Sequence, residues 1–309
     1  MVGGAQYGAG AVITGAETRW SSETGAQVTT TDSTHSRVAH VDFTRFITLP
    51  LVTAVESTTG SILAVDIGAT TIKFGLIDSS GQLIESVRRV PTPYPCTPER
   101  LIEVVVDQIV QSGCTRIGVG FPGDFVDGRV IEPGNLSRPG GITTDVDPEI
   151  LAAWRGFDLQ DALRAACPRD IRVVNDATLA ALGYCNGHGR ELAFTLGTGF
   201  GIALVVDGSV VKIRDVGDKV FRDGGTYDEV LGERFRARDQ RRWNELLVEA
   251  IDAFVEEFDA DTVHLGGGNA RLVDLALFDG STFAIEVNDN DGTLRGAAKL
   301  FEHPATDQG

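Results

Sequence analysis

Asp66, Gly68, Thr70, Thr71 and Lys73 fall inside one short run, Asp66-Ile67-Gly68-Ala69-Thr70-Thr71-Ile72-Lys73-Phe74-Gly75. They bring a carboxylate, two hydroxyls and an ammonium group to a glycine turn. Such a turn can hold a phosphate with its metal ion, because glycine lets the backbone come close while hydroxyls and N–H groups donate to phosphate oxygens. A lone carboxylate suits Mg²⁺, which keeps most of its waters, so Asp66 is expected to hold Mg²⁺ through water. A second glycine turn, Thr195-Leu196-Gly197-Thr198-Gly199-Phe200-Gly201, offers Gly197, Thr198, Gly199 and Gly201 to donor phosphates. A third, Gly266-Gly267-Gly268 ahead of Asn269, presents bare backbone against which an adenine ring can lie.

Asn175-Asp176 stands where an apolar strand meets a helix. A carboxylate there can take the proton of a sugar hydroxyl as that oxygen attacks phosphorus, with Asn175 orienting the same substrate. Read locally, Asp176 serves equally well as a helix N-cap. Asn135, in Pro133-Gly134-Asn135-Leu136, can bind sugar hydroxyls with both its donor and its acceptor. Each residue has a plain structural alternative: a turn-capping aspartate, a loop asparagine, a glycine hairpin without a ligand. Three glycine turns on strand ends point instead to a nucleotide cleft between two lobes. The turns do not fit G-x-x-x-x-G-K-[ST], nor do they place G-x-G-x-x-G after a first strand, which excludes a Walker-type site and a Rossmann dehydrogenase.

The elements that must position these groups follow from periodicity. Strands are expected at 62–66, 72–78 and 83–90. Thr97-Pro98-Glu99 opens a helix that Gly113 stops, with Leu101, Val104, Val105, Ile109 and Val110 on its buried face. Strands follow at 116–120 and 171–175, then an alanine-rich helix from Asp176 to Tyr184. Further strands are expected at 192–196, 201–206, 209–213 and 261–265, with an Asp207-Gly208 hairpin turn. Residues 239–258 form an amphipathic helix, and the basic run Arg234 to Arg242 just before and into it reads as a solvated face or as a seat for a polyanionic donor. This order predicts an α/β protein with mixed sheets in two lobes, 61–186 and 187–309, with the last helix, about 293–302, packing back on the first lobe. Residues 1–60, rich in Gly, Ala, Thr and Ser, read as a flexible N-terminal extension.

The chain has 309 residues and a formal net charge of −17, which argues against nucleic-acid and membrane-surface partners. No apolar run approaches a membrane span, and no secretory signal is seen, so a cytoplasmic location is expected. Of the four cysteines, Cys185 forms a lone C-x-x-H with His188 and no second pair completes the set, so no zinc site is expected.

As a set and in this order, D-I-G-A-T-T-I-K-F-G (66–75), G-V-G-F-P-G (118–123), N-L (135–136), V-V-N-D-A (173–177), T-L-G-T-G-F-G-I-A-L (195–204) and H-L-G-G-G (264–268) resemble the ROK family of sugar kinases, most of all its polyphosphate/ATP glucokinase branch. The resemblance covers about 61 to 300. It implies the two-lobed actin-like ATPase (ribonuclease H-like) fold, with nucleotide and sugar in the cleft between lobes. It implies phosphoryl transfer from ATP or polyphosphate to a hexose such as glucose, with Mg²⁺, and a homodimer. It further implies that Asp176 is the general base, that Asn135 and Asn175 touch the sugar, and that Gly266 to Gly268 meet adenosine. The family's Glu-x-Gly-His motif, which holds sugar hydroxyls, reads Asp215-Val216-Gly217-Asp218 here, placing Asp215 and Asp218 on the sugar. An ionised Asp218 can only accept hydrogen bonds, whereas a histidine also donates. A sugar-binding member without catalysis, a kinase for an N-acetylhexosamine and an actin-like or chaperone-like ATPase are the other readings.

Overall fold

The computed structural model describes residues 60–302 apart from Asp127, Lys212, Arg214, Asp215 and Asp223. The expected extension therefore lies outside the described residues except for Gly60, and so does the expected sugar contact Asp215.

The first half is laid on a mixed sheet. Its strands are β1 (Ile62–Ile67), β2 (Thr71–Ile77), β3 (Arg88–Pro91), β4 (Arg116–Phe121) and, after a small hairpin β5 (Asp124–Val126) and β6 (Arg129–Glu132), β7 (Asp170–Asn175). Their spatial order is β3-β2-β1-β4-β7. The β1–β2–β3 meander is antiparallel, and β4 and β7 run parallel to β1. The second half repeats this plan with β8 (Arg190–Leu196), β9 (Phe200–Val206), β10 (Ser209–Val211), then, past a short hairpin β11 (Val220–Arg222) and β12 (Gly225–Thr226), β13 (Thr262–Gly266) and β14 (Ala284–Val287). Its order is β10-β9-β8-β13-β14, again a three-stranded meander with two parallel strands added.

The helices are α1 (Pro98–Ser112), α2 (Pro148–Trp154), α3 (Leu159–Ala166), α4 (Asp176–Tyr184), α5 (Tyr227–Leu231), α6 (Glu233–Arg238), α7 (Gln240–Phe258) and α8 (Gly292–Lys299). The unbroken apolar run of β1 is explained by cover on both faces. Leu63, Val65 and Ile67 meet Leu101, Val105 and Ile109 of α1, while Ile62 and Ala64 pack with Leu179 of α4 and Leu294 and Ala297 of α8. The final helix thus sits on the first sheet. Helix α4 is apolar on nearly every side because its other face, Ala177, Ala180, Ala181 and Tyr184, packs on Ala193 of β8 and Ala203 of β9. A Cβ on Gly296 would lie 2.0 Å from Leu179 O, so only glycine lets α8 come this close to α4. Among the described residues no helix is long and apolar enough to cross a membrane.

Three local expectations change. The strand expected over 83–90 shortens to Arg88–Pro91, preceded by a lone bridge from Leu83 to Ile77. Ile84 is half exposed, so little burial holds the intervening residues on the sheet. Helices α2 and α3 arise where none was expected. Asp147 accepts from Glu149 N and Ile150 N to start the first, and Asp158 accepts from Asp161 N to start the second. The basic run folds partly as α6 rather than wholly as loop or α7.

Candidate functional site

Tight hairpin pairing brings Asp66 opposite Lys73 across β1 and β2. Lys73 Nζ lies 3.1 Å from Asp66 Oδ2, with both side chains mostly covered, and donates to Asn290 O at 2.9 Å in the loop before α8. The turn between the strands is closed by Gly68 N donating to Thr71 O, and it is braced from outside. Thr92 Oγ1 donates to Gly68 O at 2.7 Å and Tyr94 OH to Ala69 O at 2.6 Å.

Asp176 opens α4 at the end of β7. The cap is not Asp176 but Asn175, whose Oδ1 accepts from Ala177 N and Thr178 N while its Nδ2 donates to Gly123 O at 2.7 Å. Asn175 is therefore largely occupied in holding the strand-to-helix turn and the loop after β4. Asp176 is left at the first helical position, where the positive end of the helix favours negative charge. Its Oδ1 accepts from Ala177 N at 2.8 Å.

The second turn is held by two residues that sequence reasoning missed. Asp228, on the first turn of α5, accepts from Phe200 N at 2.8 Å through Oδ1, and its own N–H donates to Gly217 O. Glu233 donates its backbone N–H to Gly197 O at 2.8 Å. The Glu233 side chain takes a bidentate bond from Arg236, 2.7 Å on each oxygen, and that bond holds its carboxyl below the usual range against a smaller opposing effect of burial. Locally Asp228 and Glu233 read as ordinary acids in helix first turns; only the fold aims them at the glycine loop.

The third turn joins the second. Gly267 has φ +85°, and a Cβ there would lie 2.5 Å from Leu196 O. Asn269 N–H donates to Leu196 O, and its Nδ2 to Gly197 O at 3.3 Å.

All three turns open on one cleft of about 1140 Å³. From the first come Asp66, Gly68, Thr70, Thr71 and Lys73; from the second Gly197, Thr198, Gly199 and Gly201; from the third Gly267 and Gly268. Asn135, Asn175 and Asp176 line the same space. Two expected residues do not. Gly266 ends β13 against the Tyr184 ring, 2.2 Å from where its Cβ would be, so it is a packing position. Asp218 is exposed, paired with Lys219 at 2.6 Å, and is not part of the cleft wall. An ionised carboxylate there accepts hydrogen bonds but does not donate them.

The residues at Asp66 fit a water-bridged Mg²⁺. One carboxylate oxygen is engaged by Lys73, and the carboxylate lines the cleft beside two threonines.

Two matching five-stranded sheets, with glycine turns and the helix-start carboxylate of Asp176 on a shared cleft, define a two-lobed protein of the actin-like fold. The ROK family model matches residues 62–214, and the chain belongs to the ROK family. It is 27% identical to the inorganic polyphosphate/ATP-glucomannokinase from Arthrobacter sp. strain KM, with a TM-score of 0.65 over 78% of this chain and 98% of that one. It is 25% identical over 222 residues to the polyphosphate glucokinase of Mycobacterium leprae, a match over 68% of this chain that spans 64% of the relative's length. The ROK family glucokinase from Streptomyces griseus, solved with glucose and AMPPNP, shares the fold at 19% identity, with a TM-score of 0.59 over 78% of this chain and 99% of that one.

Proposed function

We propose that this protein is a sugar kinase that transfers a phosphoryl group from ATP or polyphosphate to a hexose, glucose before others. The observation that carries this reading is the meeting of two phosphate-type turns and Asp176 on one cleft wall. The names of the Arthrobacter and mycobacterial relatives support the same choice of donor and sugar.

In this reading Asp176 accepts the proton of the attacking hydroxyl. The new bond forms from the sugar oxygen to the terminal phosphorus, and the bridging oxygen leaves with the bonding pair as ADP or shortened polyphosphate. Gly197 to Gly201 and Gly68 to Thr71 supply N–H and hydroxyl donors for charge on the transferring group. Lys73, anchored by Asp66 and Asn290 O, adds a fixed positive charge beside it. Mg²⁺, held through water by Asp66, would offset phosphate charge when bound. Asn175 keeps Asp176 at the helix start, and Asn135 binds sugar hydroxyls. Gly268 carries the adenosine contact.

A second reading is a sugar-binding member without catalysis, favoured by one observation: Asp218 is exposed and does not line the cleft. A panel of glucose, mannose, fructose, N-acetylglucosamine and N-acetylmannosamine, each with ATP and with polyphosphate, separates the two. Sugar-dependent transfer from either donor supports the kinase. Sugar binding without transfer supports the second reading.

A further inference from the structure

At the second sheet lies a buried group of three different side chains. Cys185 follows the end of α4, Glu191 is the second residue of β8, and His264 sits in β13. One potential ligand atom from each lies within 4.8 Å of the others, and all three residues are buried. His264 Nε2 is 2.8 Å from Glu191 Oε2, while Nδ1 is 3.4 Å from Oε2 of Glu286, its register partner in β14. Buried Nδ1 makes no hydrogen bond. A neutral imidazole has one N–H and one lone pair. With a carboxylate oxygen off each ring nitrogen, the neutral ring presents a lone pair to an acceptor at one of them. Glu191 also accepts from Asn186 N, Gly187 N and His188 N at 2.6–3.0 Å, so its carboxylate is built in as a negative charge. Lys299 donates to the backbone oxygen of Cys185 at 3.0 Å.

We propose that Cys185, Glu191 and His264 bind a divalent cation of the zinc type. The sulfur, nitrogen and oxygen donors suit zinc, whereas Mg²⁺ and Ca²⁺ call for oxygen alone. Binding expels the Cys185 thiol proton to solvent. Thiolate and carboxylate then balance the two positive charges inside the protein. The imidazole proton lies on Nδ1 facing Glu286, which leaves the Nε2 lone pair for the metal, and Glu286 becomes the carboxylate that orients a metal-bound histidine. The site differs from the C-x-x-H pair in the sequence: His188 contributes only its backbone N–H. The cation would tie the C-terminal end of α4 and the start of β8 to the middle of β13; these three elements lead on to Asp176, Gly197 and Gly267 respectively.

The test uses untagged full-length protein stripped with EDTA and titrated with zinc or cobalt(II) alone. One equivalent of cobalt is expected, with a near-ultraviolet sulfur-to-cobalt band that Cys185→Ser removes. Zinc at a hundredfold excess over its dissociation constant is expected to raise the melting temperature by roughly 5 °C or more, and not that of Cys185→Ser. Glu286→Gln, at a partly exposed position, should keep the fold and weaken metal binding about 10- to 100-fold. Failure of the wild type to take up stoichiometric metal, or undiminished binding by both variants, overturns the assignment.

Discussion

Neighbouring glycines in the third turn should respond in opposite ways to the same substitution. At Gly267 φ is +85°, and a Cβ would lie 2.5 Å from Leu196 O and 2.9 Å from Leu196 N. These are backbone atoms, so no side-chain rotation relieves the overlap. The left-handed backbone costs about 1–2 kcal/mol for alanine, and forcing an extra methyl into a filled space costs about 1–3 kcal/mol more. Gly267→Ala is therefore expected to lose about 2–5 kcal/mol, a melting-temperature drop of roughly 4–20 °C for a chain of this size. At Gly268 no atom lies within 4 Å of an added Cβ and φ is not positive. Gly268→Ala should be neutral, or stabilising by about 0.4–1 kcal/mol through the unfolded chain. Yet Gly268 lines the cleft. If adenosine lies against it, the new methyl costs about 1–3 kcal/mol of ATP binding, roughly 5- to 150-fold. Polyphosphate, which has no adenosine, should be indifferent. Urea denaturation and titration with a non-hydrolysable ATP analogue read the two effects separately. An equal loss of stability in both variants would refute the packing argument, and unchanged nucleotide affinity in Gly268→Ala would remove the adenosine contact.

Three further outcomes are expected. Asp228→Ala leaves Phe200 N–H without its acceptor, costing about 1–3 kcal/mol, and should lower kcat/KM by loosening the second turn, measured by denaturation and initial rates. Lys73→Met removes the ammonium beside Asp66 and its bond to Asn290 O. Turnover should fall about 10²- to 10³-fold, the range seen when a preorganised donor is lost, and unchanged kcat would exclude that role. The third concerns acid stability. Burial raises the carboxyl of Glu191, but bonds from Asn186 N, His264, His188 N and Gly187 N outweigh it and hold the group below its ordinary value. The folded state then binds fewer protons than the unfolded chain. Stability is fully present above the ordinary carboxylate value near 4.3 and is lost as pH falls through the lower folded value. Glu191→Gln should flatten that acid limb in chemical denaturation from pH 6 down to pH 3; an unchanged slope would contradict the network.

Much of the fold was legible because the strongest signals are local. The apolar run of β1 and the Thr97-Pro98 start of α1 and its Gly113 stop predict their own elements. So do the left-handed Asp207 and Gly208 of the β9–β10 turn. Helices α2 and α3 were harder: they are short, and the burial of Trp154, whose Nε1 donates to Cys96 O, is decided far away in the chain. The site divides in the same way. The glycine turns advertise themselves, since their residue types are what a phosphate needs. Asn175 illustrates the limit. Sequence offered Asp176 as either cap or base, and only the hydrogen bonds give the cap to Asn175 and leave Asp176 at the cleft. Asp228, Glu233 and the Cys185–Glu191–His264 group depend on residues brought together from distant segments, so no window of sequence contains their signal.

The most direct test is phosphoryl transfer by Asp176→Asn, assayed with glucose and with both ATP and polyphosphate beside measured sugar affinity. The amide keeps the size of the side chain but cannot take the hydroxyl proton. Folding is expected to be unchanged, sugar binding nearly so, and turnover lower by about 10²- to 10⁴-fold. Turnover equal to that of the wild type would contradict the general-base role of Asp176.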